Sequence, residues 1–268
     1  MTNESKKIVI IGSGNVASHF ARILIKKGHE IVQFVGRNKE ALEQLSLKYL
    51  VSNITDFKLI NRNADVYLIC VNDDEIEKVA KQINLNDKLI LHTSGSVSLK
   101  KIQNTSSNTG VLYPLQTFSK NDKVKWSKIP FLIEGSNKEA ETMILHLANS
   151  FSKKVIILNS IQREKMHLAA VMVNNFSNHL FTLANDFLEK EKIPHFKLLF
   201  PLLQQTIKKN KKIKPALAQT GPAKRNDKKV IANHLSILKK HPETSKIYTS
   251  ISESIIKYHH GKLQGKTK

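Results

Sequence analysis

The sequence predicts an α/β N-terminal half with a mostly parallel sheet, followed by an all-α C-terminal half. From Lys7 to about Leu158, short β-branched runs alternate with amphipathic segments. After Asn159 no strand-like run competes with helical periodicity. A length of 268 residues is enough for two modest domains with real hydrophobic cores. The expected domains are therefore 1–158 and 159–268.

The strand-like runs are Ile8–Ile11, Ile31–Val35, Val66–Val71, Leu89–His92, Gly110–Tyr113, Phe131–Glu134 and Val155–Leu158. Several lack polar alternation, as strands buried on both faces of a parallel sheet do. Between the first two, Val16–Lys27 carries Val16, Phe20, Ile23 and Leu24 at helical spacing, and Gly28 supplies a C-terminal stop. Strand, helix and strand with short links make a right-handed βαβ unit. In the second half, Arg163–Glu191 contains neither Pro nor Gly and is apolar over much of its circumference. It is expected to be one long helix buried against other helices. Further helices are expected at about His195–Lys209, Asp227–Lys240 and Glu243–His259, with Asp227 and Pro242 suited to helix starts. The tail from Gly261 reads as frayed.

Composition narrows the class. Hydrophobic residues at 40% and charged residues at 24% suit a globular chain. No apolar run approaches the ~18–20 residues of a membrane span. Met1–Lys7 is polar and does not read as a signal peptide. The single cysteine, Cys70, excludes an internal disulfide and a multi-cysteine zinc site, so no metal is expected. These features point to a cytoplasmic protein. The net charge of +21 raises nucleic acid as a partner. Against it, only five of the 43 basic residues are Arg, whose fork suits phosphate and base recognition. Aromatic residues, at 6%, are not interleaved with basic ones for stacking. The charge is +14 over residues 159–268 and +7 before them, and its densest run, Lys208–Lys214, reads as a solvated helix end and loop.

Gly12-Ser13-Gly14-Asn15-Val16-Ala17 follows the first strand and opens the next helix. This is the GxGxxG/A pattern in the context that gives it meaning, a Rossmann-type dinucleotide turn. Gly12 permits the tight turn, Gly14 admits a pyrophosphate, and Ala17 keeps the helix close to the sheet. The helix start then offers free N–H groups and its dipole to the anion. An NAD site places a carboxylate at the end of the second strand to bind the ribose. Here that strand ends Val35-Gly36-Arg37-Asn38, and Arg37 suits a 2′-phosphate. NADP(H) is the expected cofactor. Val71-Asn72 ends another strand and is expected to line the nicotinamide ribose. Asp73 and Asp74 read as the start of a helix at Glu75–Gln82.

His92-Thr93-Ser94-Gly95-Ser96 ends the next strand on the same edge. His92 and Ser94 can bind a substrate or shuttle a proton; equally, Ser and Gly can form a cap before Val97–Ile102. Thr93 is grouped with the cofactor contacts. Tyr113-Pro114-Leu115-Gln116-Thr117-Phe118 follows a further strand, with polar Gln116 and Thr117 in an apolar stretch. On the long helix, His167, Asn174, Asn175 and Asn178 interrupt the apolar face. In an α-helix His167 and Asn175, eight apart, share roughly one face. They serve either an interhelical hydrogen bond or the substrate cleft. Lys165 is a further possible acid, and Arg225, in the loop Thr220–Asp227, a possible anion contact.

Together, Gly12–Ala17, His92–Ser96, Pro114–Phe118, the His167–Asn175 helix and Thr220-Gly221-Pro222 resemble the Rossmann-like proteins with a DUF2520 C-terminal domain. The resemblance spans nearly the whole chain and implies an NADP oxidoreductase. The wider group it resembles includes pyrroline-5-carboxylate reductase, ketopantoate reductase, prephenate dehydrogenase and the 6-phosphogluconate dehydrogenase-like enzymes. In that group a helical C-terminal domain commonly forms the dimer, so a homodimer through residues 159–268 is implied. The sequence departs from the Lys-x-x-x-Asn pair of β-hydroxyacid dehydrogenases, because Ala169 lies four residues after Lys165. Likewise, the small-residue signature of pyrroline-5-carboxylate reductases is absent. The expected activity is hydride transfer to or from a small, acidic carbonyl, imine or alcohol, with His92, Ser94, His167 and Asn175 as catalytic candidates. The alternative is a non-catalytic NADP(H)-binding sensor or scaffold.

Overall fold

The computed structural model describes residues 5–120 and 122–261, so the tail expected to fray lies almost wholly outside the described residues. Two compact units divide the chain, the first ending at Val173 and the second beginning at Asn174.

The first unit is built on eight strands: β1 (Lys7–Ile11), β2 (Glu30–Val35), β3 (Asn53–Ile54), β4 (Val66–Ile69), β5 (Leu89–His92), β6 (Asn108–Pro114), β7 (Phe131–Gly135) and β8 (Val155–Ile157). They form one sheet in the order β3-β2-β1-β4-β5-β6-β7-β8. Only the β6–β7 pair is antiparallel. All seven expected strands are present. The sequence reading missed β3, which has only two residues, and carried β4 two residues too far.

The helices of this unit are α1 (Asn15–Lys26), α2 (Lys39–Tyr49), α3 (Ile76–Ala80), α4 (Lys138–Phe151) and α5 (Ser160–Ala170). Along β1, Ile8 and Ile10 join one apolar cluster with Phe20, Phe34 and Phe131, while Val9 and Ile11 join another with Tyr67, Ile76 and Ile90. Both faces are covered, so the strand needs no polar alternation. The helix expected at Glu75–Gln82 is a 3₁₀ turn, Asp73–Glu75, followed by the short α3.

After α5 the backbone takes a π-helical course over Val171–Phe176 and returns to α geometry in α6 (Ser177–Lys190). A π turn closes i to i+5, so the 3.6-residue phasing that put His167 and Asn175 on one face does not run through this segment.

The second unit contains α6, α7 (Phe200–Asn210), α8 (Pro215–Ala218), α9 (Pro222–Arg225), α10 (Lys228–Ile237) and α11 (Pro242–His260). Asp227 caps α10 as expected, accepting from the Val230 N–H at 3.1 Å. Among its described apolar residues only Ala223 and Leu238 are buried. The expected burial of the long helix is not met within the chain: Met172, Val173 and Phe176 are more than half exposed, and α6 has no buried residue. A cavity of about 530 Å³ lies among the helices, lined by Leu180, Phe187, Pro222, Ile237, Tyr248 and Ile251.

Candidate functional site

The parallel register aligns four strand ends on one edge. Ile11 pairs with Val35 and Ile69, and Ile69 pairs with His92. Strand β6 continues the edge, with Val111 beside His92 and Tyr113 two residues further. Ligands of open α/β sheets bind outside such carboxyl ends.

The glycine turn sits at the centre of that edge. Gly12 has φ of +122°, and a Cβ there would lie 2.2 Å from the Cys70 carbonyl oxygen. Its N–H donates to the Val35 carbonyl at 2.7 Å. Gly14 faces open space, with nothing within 4 Å of a built Cβ. It begins α1 without a side-chain cap, and the first turn holds no acidic residue. The N–H groups of Asn15, Val16 and Ala17 therefore keep the unsatisfied character of a helix start, beside the open space that Gly14 faces. That arrangement fits a pyrophosphate. Ser13 is half-buried within this turn. The Asn15 side chain is committed elsewhere, its amide donating to the Phe118 carbonyl at 3.0 Å. Together with His19, whose Nε2 meets the Ser119 carbonyl at 2.8 Å, it fastens the chain after β6 against α1.

Arg37 follows β2 at the same edge, 76% exposed, with Nη1 at 2.9 Å from Oε2 of Glu75. Sequence reasoning had no means of finding this carboxylate, which lies 38 residues away. Asn38 caps α2 through its side-chain oxygen, which accepts from Ala41 N–H at 2.9 Å. Val71 is half-buried beside Gly12, and Asn72 is exposed. Asp73 does more than begin a helix: its carboxylate accepts a short hydrogen bond from the Ser96 hydroxyl, tying the loop after β4 to the loop after β5.

Within the loop after β5 the hydrogen bonds of a turn cap are present. The Ser94 hydroxyl oxygen accepts from the N–H groups of Ser96 and Val97 at 3.1 and 3.0 Å, and the residue is buried. Thr93 donates to the Ile69 carbonyl at 3.3 Å. His92 is wholly inaccessible, accepts from Ser94 N–H at Nδ1 (3.2 Å), and leaves Nε2 without a partner. Burial, helped by the nearby Arg163 charge, lowers its pKa to about 3. The buried ring braces the loop through its contact with Ser94 N–H.

Behind this loop, Arg163 of α5 is fully buried. Its guanidinium pairs with the Glu134 carboxylate and donates to the Val97 carbonyl at 2.5 Å. Ser160 joins them, donating to Glu134 at 2.8 Å and accepting from Leu99 N–H at 3.0 Å. The cluster ties α5 to β7 and to the segment after β5.

His167 emerges two turns along. Its Nδ1 lies 3.0 Å from the Tyr113 hydroxyl at the end of β6. The Gly95 backbone packs against this pair, since a Cβ there would come within 2.7 Å of His167 Nδ1 and 2.8 Å of Tyr113 Cζ. Burial, together with the Asp73 charge, raises the Tyr113 pKa above its usual value. Tyr113 is a site residue the sequence reading did not single out. Asn175 is exposed and belongs to the second unit, as do Asn174 and Arg225, both exposed. Among the described residues no group of three His, Cys, Asp or Glu could hold a metal ion, and no helix is long and apolar enough to cross a membrane.

An open glycine turn beneath an uncapped helix, on the carboxyl edge of a mostly parallel sheet, defines an NADP oxidoreductase fold with a helical C-terminal part. Residues 7–95 match the family described as NADP oxidoreductase, coenzyme F420-dependent, and residues 129–255 match the domain of unknown function DUF2520. The chain is similar to BF3122 of Bacteroides fragilis, a candidate NADP oxidoreductase, at 36% identity and a TM-score of 0.88, covering 94% of this chain and 98% of that one. The chain belongs to the family of Rossmann-like proteins with a DUF2520 C-terminal domain. It shares its fold with protein TM1727 of Thermotoga maritima, at 22% identity and a TM-score of 0.70 over 94% and 98% of the two chains. The same holds for a reductive aminase of Aspergillus terreus in complex with NADPH and ethyl-5-oxohexanoate, at 13% identity and a TM-score of 0.73 over 96% of each chain. No curated protein matches the sequence.

Proposed function

We propose that the protein is an NADP(H)-dependent oxidoreductase moving a hydride to or from a small, acidic carbonyl, imine or alcohol. The observation that carries this is the uncapped α1 terminus beside Gly14, with Arg37 at the end of the neighbouring strand. In this reading the α1 N–H groups hold the pyrophosphate, Arg37 meets the 2′-phosphate, and the Val71–Asn72 backbone borders the nicotinamide half. The bound coenzyme supplies the hydride, while the chain supplies orientation and charge. His167 is the accessible histidine at the carboxyl edge, and Asn175 of the second unit is kept as a substrate contact. His92, Ser94 and Thr93 support the loop that presents them. The NADPH carried by the similarly folded reductive aminase favours the same coenzyme. The excess positive charge of the helical half favours an anionic substrate. The free, buried Cys70 suits the cytoplasm.

The test is titration of the purified protein with NADPH and NADH by coenzyme fluorescence, then a screen of keto acids, imines and hydroxy acids for coenzyme oxidation or reduction. Tighter binding of NADPH together with turnover supports the reading. Absence of binding overturns it, and binding without turnover favours a sensor.

The same reading includes a homodimer through the helical unit. Its support is the exposed apolar side chains Leu198, Phe200, Leu202, Ile207 and Leu217 of the helical unit. Sedimentation at the mass of two chains supports it, and a monomer at micromolar concentration refutes it.

A further inference from the structure

We propose that Tyr113, paired with His167, is the proton donor of this site, with the phenol facing the substrate and the imidazole resupplying it. The inference rests on the oxidoreductase reading and adds to it the group that completes hydride transfer.

The pair stands where such a donor is needed. Along the carboxyl edge the order from the glycine turn is β1, β4, β5, β6, and Tyr113 is the last residue but one of β6. At about 4.8 Å per strand it stands roughly 14 Å from the turn. A dinucleotide with its pyrophosphate at the β1 turn would extend its other half along this edge over β4 and β5, which would bring it towards β6. Both side chains are half-buried, unlike the sealed His92. The bare Gly95 backbone lets them meet above the loop after β5, and any side chain there would strike both rings.

The chemistry follows from the 3.0 Å contact between Tyr113 Oη and His167 Nδ1. With the imidazole in its Nδ1–H form, His167 donates to the phenol oxygen, and the phenolic proton stays free for a substrate. In the reducing direction the carbonyl carbon accepts the hydride as its π bond breaks, and the oxygen takes the proton from Tyr113 Oη. As the phenolate takes the Nδ1 proton of His167, Nε2 takes one from solvent, which leaves the neutral Nε2–H tautomer; proton exchange with solvent then restores the Nδ1–H form. The balance is carbonyl, reduced coenzyme and one proton giving alcohol and oxidised coenzyme. Oxidation of an alcohol runs the same path backward. The raised Tyr113 pKa keeps the phenol protonated until hydride transfer creates a stronger base beside it.

Two measurements decide. Nitrogen-15 spectra of the histidine rings report the tautomer of His167. The Nδ1–H form should dominate in the native protein and give way to Nε2–H in Tyr113→Phe. An Nε2–H form in the native protein overturns the proposal, whether or not the variant folds. The second is carbethoxylation of His167, mapped by peptide mass. Saturating NADP⁺ should slow it at least about tenfold, whereas adenosine 2′,5′-bisphosphate, which lacks the nicotinamide half, should not. Binding of NADP⁺ without protection removes the pair from the reacting end and leaves the coenzyme assignment intact. Absence of binding overturns the oxidoreductase reading itself.

Discussion

Glu75 and Arg37 form an ion pair at 2.9 Å that links the end of the turn after β4 to the loop after β2. Glu75 also accepts from Lys78 at 3.0 Å, and the lysine hydrogen bond, followed by the arginine charge, lowers its carboxyl pKa. The arginine assigned to the 2′-phosphate is thus held by a carboxylate that repels the same phosphate. Glu75→Gln should tighten NADPH binding a few-fold and leave NADH almost unchanged. Arg37→Asp should weaken NADPH and favour NADH. Added salt should shrink both effects, because Arg37 is solvent-exposed. Fluorescence titrations at two ionic strengths check this, and identical NADPH affinities in both variants would remove Arg37 from the site.

The two glycines of the turn should fail in different ways. Gly12→Ala meets a positive φ and a carbonyl oxygen at 2.2 Å, so backbone must move. A loss of about 1–3 kcal/mol in stability is expected together with loss of NADPH binding. Gly14→Ala meets neither obstacle and should melt near the native temperature, yet its methyl enters the open cradle and should weaken NADPH. Thermal melting beside coenzyme titration separates the two, and full NADPH affinity in Gly14→Ala would show that the anion lies elsewhere.

Arg163 is a buried cation, and among the described residues its salt-bridge partner is Glu134. Glu134→Gln should cost about 3–5 kcal/mol, because it leaves an uncompensated charge in the interior. Adding Arg163→Met should recover part of that loss, since the two sites share one interaction. Trp126, the sole tryptophan, stacks on Phe131 in the first unit's core, so its fluorescence during urea unfolding reads this unit specifically. Additive losses in the double variant would contradict the pairing.

The sheet was legible in the sequence because strands buried on both faces print continuous β-branched runs, and Ile8–Ile11 is such a run. The glycine turn was legible because φ at Gly12 and the close approach to Cys70 demand that residue type. The Tyr113–His167 pair was not, since its members lie 54 positions apart and neither breaks a local pattern that reveals the other. Nor was the π segment, because Val171–Phe176 contains neither Pro nor Gly to mark a departure from α geometry. His92 and Ser94 carried two readings at sequence level, and the hydrogen bonds to Ser94 Oγ that form the turn depend on coordinates, not on residue type. The exposed Leu198 and Leu202 were hidden for a different reason: amphipathicity marks a face to be covered without marking what covers it.

His92 should make the first unit acid-sensitive. Its folded pKa is depressed to about 3, chiefly by burial, from an ordinary value of 6.5. Between these values the unfolded chain binds a proton that the native state refuses, so stability rises with pH across this window. The contribution is complete above pH 6.5 and is lost as pH falls towards 3. His29, also depressed mainly by burial, acts in the same direction. His92→Asn retains an acceptor for the Ser94 N–H but cannot titrate. It should cost stability at pH 7, where the packing of the buried imidazole ring is lost, and it should flatten the decline on acidification. Urea midpoints followed through Trp126 from pH 7.5 to 4.5 read the difference. Parallel slopes in the native protein and the variant would mean that protons enter elsewhere, and that His92 is accessible to them.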